Sequence, residues 1–346
     1  MTVKSSNAVP KSEQQVKNLA KPGRRLFKKL LWAEIVGLLL LGFLLLLFNG
    51  LLAKPIPDSY IPISGGDLQI SFSGDFTQQE VHIVERWLAE MTDAVETVYG
   101  QFPLAKPHVR IYRANSGSGP VPWGQINRPA KSRVDLHVNL NFDYPTIRDD
   151  WTAVHELSHL LLPYAGSRDS WFSEGLASYY QNIARANAGL LSERQAWQKL
   201  YQGFRRGEQN TERRTMPLFE AVKSRRGNTM RIYWTGAAYF LMADVRLRQE
   251  SNGLQSLASV LKQYRACCLP NHNTVPVLRT IKKLDQLSNS KTFSELYQQI
   301  INSQQFPDYK KAFAQLGIDV RWGGVRFSDE QTKQQLRQSI TKPASQ

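Results

Sequence analysis

One stretch, residues 149–180, constrains this chain more than any other. It reads DDWTAVHELSHLLLPYAGSRDSWFSEGLASYY and contains the spacing His-Glu-x-x-His. On a helix, His155 and His159 lie one turn apart and project from the same face. One tetrahedral Zn2+ can therefore bind both imidazoles, while Glu156 points to the side, where it can reach a water on the metal. The stretch predicts a zinc hydrolase site.

The residues around this spacing predict where it lies in the fold. A helix is predicted to begin near Thr146 and to carry the motif, with Asp149 and Asp150 favouring its N-terminus. The apolar residues that would bury this helix are Trp151, Val154, Leu157, Leu161 and Leu162. Without a metal, two histidines and a glutamate on such a face would be costly, because buried polar groups need partners. A second helix is predicted over residues 171–186, after a break at 165–170.

Upstream of the motif, the pattern is strand, helix, strand, strand. Thr77 and Glu80 have the spacing of a capping box, which starts a helix, and Gly100 is suited to end it. Alternating strands are predicted over residues 68–72, 108–113 and 134–142. Residues 114–133 are rich in Gly, Ser and Pro and are predicted to form a mobile loop.

Beyond residue 203 the apolar residues recur mostly at helical spacing. Helices are predicted over residues 216–225, 233–249, 253–264, 293–303 and 308–316. The predicted segments are a basic segment (1–29), a membrane helix (30–53), a linker (54–59), a sheet-bearing lobe with both motif helices (60–200), a helical lobe (201–327) and a polar tail (328–346).

The N-terminal residues combine basic charge with an apolar run. Eight basic residues and one acid precede Leu31, which accounts for +7 of the net charge of +15. Residues 35–53 carry no charge, and residues 30–53 can cross a hydrocarbon core about 30 Å thick. A cleaved signal peptide would have a shorter apolar core and a small-x-small exit, so an uncleaved signal anchor is favoured. The positive-inside rule puts the basic flank in the cytoplasm, and no nucleic-acid partner is expected.

Cys267 and Cys268 are adjacent and are the only cysteines. A disulfide between neighbours is strained, and no further cysteine is available to complete a Cys-rich metal site. The sequence therefore predicts two unbridged cysteines and a body that relies on its apolar core.

WFSEGLASYY, at residues 171–180, resembles the third-ligand helix of the gluzincin metallopeptidases. It is most similar to the glycyl aminopeptidase family and the wider peptidase MA-like group. The resemblance implies an α+β, thermolysin-like zincin domain with one Zn2+ per chain, bound by His155, His159 and Glu174, and a water at the open fourth position. It also implies that Glu156 is the general base. By spacing alone, Glu174 could equally be a helix-start glutamate favoured by the dipole.

YWTGAAYFL, at residues 233–241, resembles the Y-x-K-G segment of the aminopeptidase N and glycyl aminopeptidase families. In those families the tyrosine donates a hydrogen bond to the tetrahedral oxyanion, so the resemblance implies this catalytic role for Tyr233. Thr235 stands where those families have lysine. Two alternatives remain open: Tyr233 can pack on the core, and His272 can stabilise the oxyanion from a loop.

The resemblance covers about residues 149–261 and does not extend upstream. The G-x-M-E-N segment, which binds the substrate's free amine in the aminopeptidase N family, is absent. Residues 120–124, PVPWG, occupy the comparable interval and contain no acid. An edge strand at residues 134–142 could instead pair with an extended peptide through backbone hydrogen bonds. An endopeptidase is therefore favoured over an aminopeptidase.

Two functions are compatible with these features. The favoured one is a membrane-anchored zinc metallopeptidase that acts on a peptide or protein substrate. Its N-terminus would be cytoplasmic and its catalytic domain would lie on the periplasmic side of a bacterial inner membrane. The alternative is a catalytically inactive zincin-like domain that acts as a membrane-tethered binding module. A purely structural zinc would need a fourth protein ligand and would not need Glu156, so the enzyme is favoured.

Overall fold

The computed structural model describes residues 32, 34–40, 56–128, 132–270 and 273–342. The chain divides into two compact units, Met1–Pro55 and Ile56–Gln346. In the first unit, residues 34–40 are helical. Within the described residues, no helix is both long enough and apolar enough to cross a bilayer. The predicted membrane helix, residues 30–53, lies mostly outside the described residues.

The second unit begins with a five-stranded sheet. In spatial order its strands are β1 (Ser59–Ile63), β2 (Gly66–Ser73), β3 (His108–Arg113), β5 (Arg133–Val138) and β4 (Trp123–Asn127). The three central strands β2, β3 and β5 are parallel, whereas β1 and β4 are antiparallel to their neighbours. Apolar residues of the central strands are buried, as expected for strands covered on both sides. The predicted strand at 108–113 is confirmed at the same residues.

The long helix α1 (Gln78–Glu96) shares its core with this sheet. Its start confirms the predicted capping box: the Thr77 hydroxyl accepts a hydrogen bond from the Glu80 N–H, and the Glu80 carboxylate accepts one from the Thr77 N–H at 2.7 Å. The apolar side chains at helical spacing, among them Val84, Leu88 and Met91, are fully buried. Each such burial stabilises the fold by roughly 1.5–3 kcal/mol.

The edge of the sheet differs from the prediction. Residues 114–133, predicted to be a mobile loop, contain strand β4. Strand β5, predicted to be an edge, is paired on both sides, with β3 and with β4. The edge strand is therefore β4. Its sequence, WGQIN, contains a glycine and two amides, which have low strand propensity, and its pairing depends on a partner that local sequence does not reveal.

Helices dominate the rest of the unit. They are α2 (Tyr144–Asp149), α3 (Thr152–Ser158), α4 (Ser170–Asn187), α5 (Glu193–Arg213), α6 (Leu218–Ser224), α7 (Thr229–Glu250), α8 (Leu257–Cys268), α9 (Val277–Ser288), α10 (Thr292–Ile301) and α11 (Tyr309–Gln315). A small sheet followed by a helical lobe confirms the predicted α+β class.

The motif lies on a helix that begins later than predicted. The predicted helix runs without interruption from near Thr146, but the chain is extended at Asp150, between α2 and α3. The Asp150 carboxylate accepts a hydrogen bond from the Thr152 N–H at 2.7 Å, so it starts a new helix. His159 follows α3 in a short 3-10 turn and keeps right-handed helical angles. His155 and His159 therefore still face the same side.

Helices α4 and α7 cross at a pair of glycines. A Cβ atom at Gly236 would lie 1.9 Å from the carbonyl oxygen of Trp171 and 2.6 Å from the Cα atom of Gly175. A Cβ atom at Gly175 would lie 2.3 Å from the Gly236 backbone. Only glycine permits such a close approach of two backbones. The crossing sets Glu174, on α4, beside the helix that carries Tyr233.

We expect Gly236→Ala to destabilise the unit by about 1–3 kcal/mol or more, the usual cost of overpacking. The added methyl group meets main-chain atoms, which cannot turn away, and this cost outweighs the gain of about 1 kcal/mol in helix propensity. Urea denaturation measures the difference. Gly119→Ala is the matched control, because a Cβ atom there meets nothing within 4 Å. Equal unfolding midpoints for the two variants would contradict the close crossing.

The C-terminal residues also differ from the prediction. A hairpin of β6 (Ile318–Arg321) and β7 (Gly324–Phe327) ends the segment predicted to be a helical lobe. Residues 328–346, predicted to be a polar tail, contain helix α12 (Gln331–Thr341). Arg337 of this helix is buried and donates hydrogen bonds to the Glu193 carboxylate at 3.0 Å and the Leu316 carbonyl at 3.1 Å. A polar composition therefore hid a helix that docks through a paired arginine.

The two cysteines also correct a prediction. Cys267 and Cys268 are joined by a disulfide at the end of α8. The next residue, Leu269, is extended, so the bridge lies where the backbone leaves helical geometry. The general rarity of bridges between neighbours did not hold at this helix end.

Candidate metal centre

Three side chains from α3, the turn after it and α4 converge at one point. Nε2 of His155 lies 3.3 Å from Oε2 of Glu174, and Nε2 of His159 lies 3.5 Å from the same oxygen. One ligand atom from each residue falls within 4.8 Å of the others. His155 is only 3% exposed and His159 only 6%. The structure thus brings together the three residues predicted to bind metal.

The histidines are oriented for a metal ligand role. Nδ1 of His155 lies 2.8 Å from Oε1 of Gln181, which can accept a hydrogen bond only if Nδ1 carries the proton. Nε2 of that tautomer is then free to bind a metal. Nδ1 of His159 is buried and has no hydrogen-bond partner among the described residues. Two imidazole nitrogens and one carboxylate oxygen are the donor set of a three-ligand, open zinc site, so these residues fit Zn2+.

The charges at this point are mutually stabilising. Burial alone would raise the pKa of the Glu174 carboxyl group, but the adjacent His159 and His155 outweigh burial and hold that pKa well below its usual range. Burial alone would lower the pKa of His155, yet its hydrogen bond to Glu174 and the charge of Glu156 raise it. The carboxylate therefore stays ionised beside positive charge, which a metal cation can supply equally well.

Glu156 lies in the wall of a cleft of about 610 Å³ that His159 and Glu174 also line. Its side chain is not one of the three converging donors. Strand β4 forms the adjacent wall: a Cβ atom at Gly124 would lie 2.9 Å from Cγ of Glu156. The glycine thus lets the edge strand lie directly against the predicted general base.

Tyr233, in the first turns of α7, also lines the cleft. Its ring is stacked on that of His155, with 5.9 Å between ring centres and 12° between planes. Burial raises the pKa of Tyr233 and the Glu174 carboxylate raises it further, so the phenol keeps its proton at neutral pH. Thr235 is buried within α7, away from the cleft lining. The alternative donor His272 lies outside the described residues.

Sequence reasoning missed two residues that support this centre. Gln181 follows Glu174 by seven residues on α4, which is two helical turns, so spacing could have found it. Arg128 directly follows β4, and its Nη2 donates a hydrogen bond to the carbonyl oxygen of His159 at 2.9 Å. Its guanidinium lies 5.1 Å from the ring centre of Tyr164. No local signal identified Arg128, because β4 itself was not predicted.

Comparison with known proteins adds a family match and a fold match. A model of the M61 glycyl aminopeptidase family matches residues 164–265, which include Glu174 and Tyr233. No curated protein sequence matches the chain. An aminopeptidase N family protein from Idiomarina loihiensis has a similar structure, with a TM-score of 0.57, 15% identity, and coverage of 77% of this chain and 50% of that chain. An M1 zinc metallopeptidase from Deinococcus radiodurans gives a TM-score of 0.45, 14% identity, and coverage of 73% and 52%.

The family match contains the third-ligand helix, and the structural match shows the zincin-like arrangement of a small sheet and a helical lobe. The chain is a gluzincin. The resemblance of this gluzincin to the peptidase MA-like group is thereby confirmed. The chain spans about half the length of the solved structures it matches.

One prediction about this gluzincin is corrected. The family that matches is an aminopeptidase family, which counts against the endopeptidase favoured from the sequence. That preference rested partly on an edge strand at residues 134–142, and β5 is not at the edge. It also rested on the absence of an acid at residues 120–124, and β4 extends that absence to Asn127.

Proposed function

We propose that this gluzincin is a zinc metallopeptidase that hydrolyses peptide bonds. The observation that supports the proposal most directly is the convergence of His155, His159 and Glu174 beside Glu156 in an open cleft. Three protein donors leave a fourth position for a water or substrate, as a catalytic zinc requires and a structural zinc does not. The match to a peptidase family points to the same chemistry.

The residues of the cleft can divide the work of hydrolysis. Zn2+ held by His155, His159 and Glu174 would supply Lewis-acid polarisation. Glu156 would accept a proton from the attacking water and return it to the leaving amine. Tyr233, whose raised pKa keeps it protonated, would donate a hydrogen bond to the oxyanion that forms on the scissile carbonyl.

The test of this proposal is metal removal and return on the full chain. The parent protein is expected to contain about one zinc per chain and to cleave members of a peptide library, as read by mass spectrometry. A chelator is expected to abolish cleavage, and one equivalent of Zn2+ to restore it. A zinc-loaded parent that cleaves no peptide would contradict the peptidase and favour the inactive binding module.

The proposal includes the finer features predicted from sequence. The family match favours removal of N-terminal residues over internal cleavage. The apolar segment at residues 30–53 would anchor the enzyme in a bacterial inner membrane, with its catalytic unit on the periplasmic side. Peptides or proteins in that compartment would be its substrates.

A further inference from the structure

The charges that line the cleft are of two kinds. The described lining residues include two carboxylates, Glu156 and Glu174, and both already have roles in the proposed reaction. They also include two arginines, Arg128 and Arg225, for which the reaction provides no role. Because a bound Zn2+ would offset the charge of the two carboxylates, the arginines would leave the cleft positively charged.

Arg128 is the inner of the two cations. It lies at the end of β4, and one guanidinium nitrogen is fixed by the carbonyl oxygen of His159. Its Nε is buried and has no hydrogen-bond partner among the described residues. Burial lowers the pKa of Arg128 to about 10, against raising effects from Tyr164, Glu174 and Glu156, so the side chain remains charged at neutral pH. No ion pair with a carboxylate is present for it within the described residues.

Arg225 is exposed and lies at the end of α6, on the rim of the cleft. Its backbone has φ of 42°, a region that side chains with a Cβ atom rarely occupy. The turn is held by hydrogen bonds from the Arg225 N–H to the Ala221 carbonyl, 3.0 Å, and from the Asn228 N–H to the Arg225 carbonyl, 2.9 Å. A strained position that is held in place beside a reaction site is a reason to examine that residue for function.

The opposite charge is missing where a substrate amine would need it. Strand β4 presents amides, Gln125 and Asn127, instead of acids along the cleft. Asn127 donates a hydrogen bond to Asp135, whose charge is already paired with Arg133 at 2.7 Å. The free charges of the cleft are therefore suited to an anion.

We propose that the cleft recognises a carboxylate group of the peptide substrate, with Arg128 and Arg225 as the residues that bind it. This inference rests on the proposed peptidase function and names the substrate class of that same site. A guanidinium pairs well with a carboxylate, because its planar N–H groups match the two oxygens. The carboxylate can be the C-terminus of a short peptide or an Asp or Glu side chain near the scissile bond.

The test is peptide binding by the zinc-loaded full chain that carries Glu156→Gln, measured by calorimetry. One N-acetylated alanine pentapeptide is compared with a free C-terminus, with a C-terminal amide, and as an amide with Asp at each position in turn. We expect at least one carboxylate-bearing peptide to bind about tenfold more tightly than the neutral amide, the size of one charge-assisted hydrogen bond. The position of the preferred carboxylate tells the C-terminal source from the side-chain source.

Arginine variants assign the preference to its residues. Added to the same background, Arg225→Gln is expected to reduce the ratio of carboxylate to amide affinity to near one. Arg226→Gln is the matched control, because Arg226 is the next exposed residue and does not line the cleft. If no carboxylate peptide is preferred, or if the two variants keep the same ratio, the inference is wrong. A preference that survives Arg225→Gln would belong to the zinc.

The binding measurement also separates this inference from the proposed function. Cleavage of the same peptides by the parent chain is followed in parallel. If the parent cleaves nothing but Arg225→Gln still removes the carboxylate preference, the peptidase fails while the recognition site stands. If the parent cleaves all peptides and none of the carboxylates is preferred in binding, the recognition site fails alone.

Discussion

Replacement of Glu156 by glutamine is expected to lower peptide cleavage by about 100- to 10,000-fold, the contribution of a positioned general base. Glutamine keeps the size of the side chain beside Gly124 but cannot accept a proton from water. The metal should be retained, because the three converging donors are His155, His159 and Glu174. Initial rates on one cleaved peptide, together with zinc content of the same samples, measure both effects.

A pair of outcomes would contradict this role for Glu156. Cleavage at the parent rate would remove Glu156 from the mechanism, and loss of zinc together with activity would make it a metal-site residue instead. Glu212→Gln is a suitable control, since Glu212 is exposed on α5 and does not line the cleft. It should keep both the rate and the zinc.

Replacement of Glu174 by alanine is expected to remove a metal ligand and therefore to abolish both zinc binding and cleavage. Loss of a contact that only supports a ligand costs about 10- to 100-fold in metal affinity, and loss of the ligand itself should cost more. Competition with a chromogenic chelator gives the affinity directly. A matched variant is Ser173→Ala, one residue earlier on α4, which leaves all three donors in place.

The folded state of Glu174→Ala has to be checked in the same experiment. The variant removes a buried carboxylate that two imidazoles hold ionised. A melting curve on metal-free parent and metal-free variant separates loss of fold from loss of ligand. Unchanged zinc affinity in a folded variant would show that Glu174 is a helix-start glutamate and not the third ligand.

The helical side of the site could be predicted because its signals are local. Two histidines one turn apart need only the helical repeat to face one way, and the capping box at Thr77 needs only four residues. Glu174 was different, since its place depends on how α4 packs against α3. A remembered motif, and not spacing, supplied that residue.

The remaining parts of the fold depend on contacts distant in sequence. Strand β4 exists because β5 pairs with it, and nothing in WGQIN announces a strand. The break at Asp150 was hidden because an aspartate can favour a helix start or cap a new one. Helix α12 docks through Arg337, which reads as a solvated charge until Glu193 is placed opposite. Arg128 could not be assigned for the same reason as β4.

The glycine crossing of α4 and α7 bears on how such a site could be copied into another protein. Gly175 and Gly236 bring main-chain atoms into direct contact, so the separation of the Glu174 and Tyr233 backbones is set without any intervening side chain. A designer would therefore transplant both helices with their glycines as one rigid part. The apolar residues around that part could then be chosen to suit the new host, because none of them sets the distance between the two helices at this point.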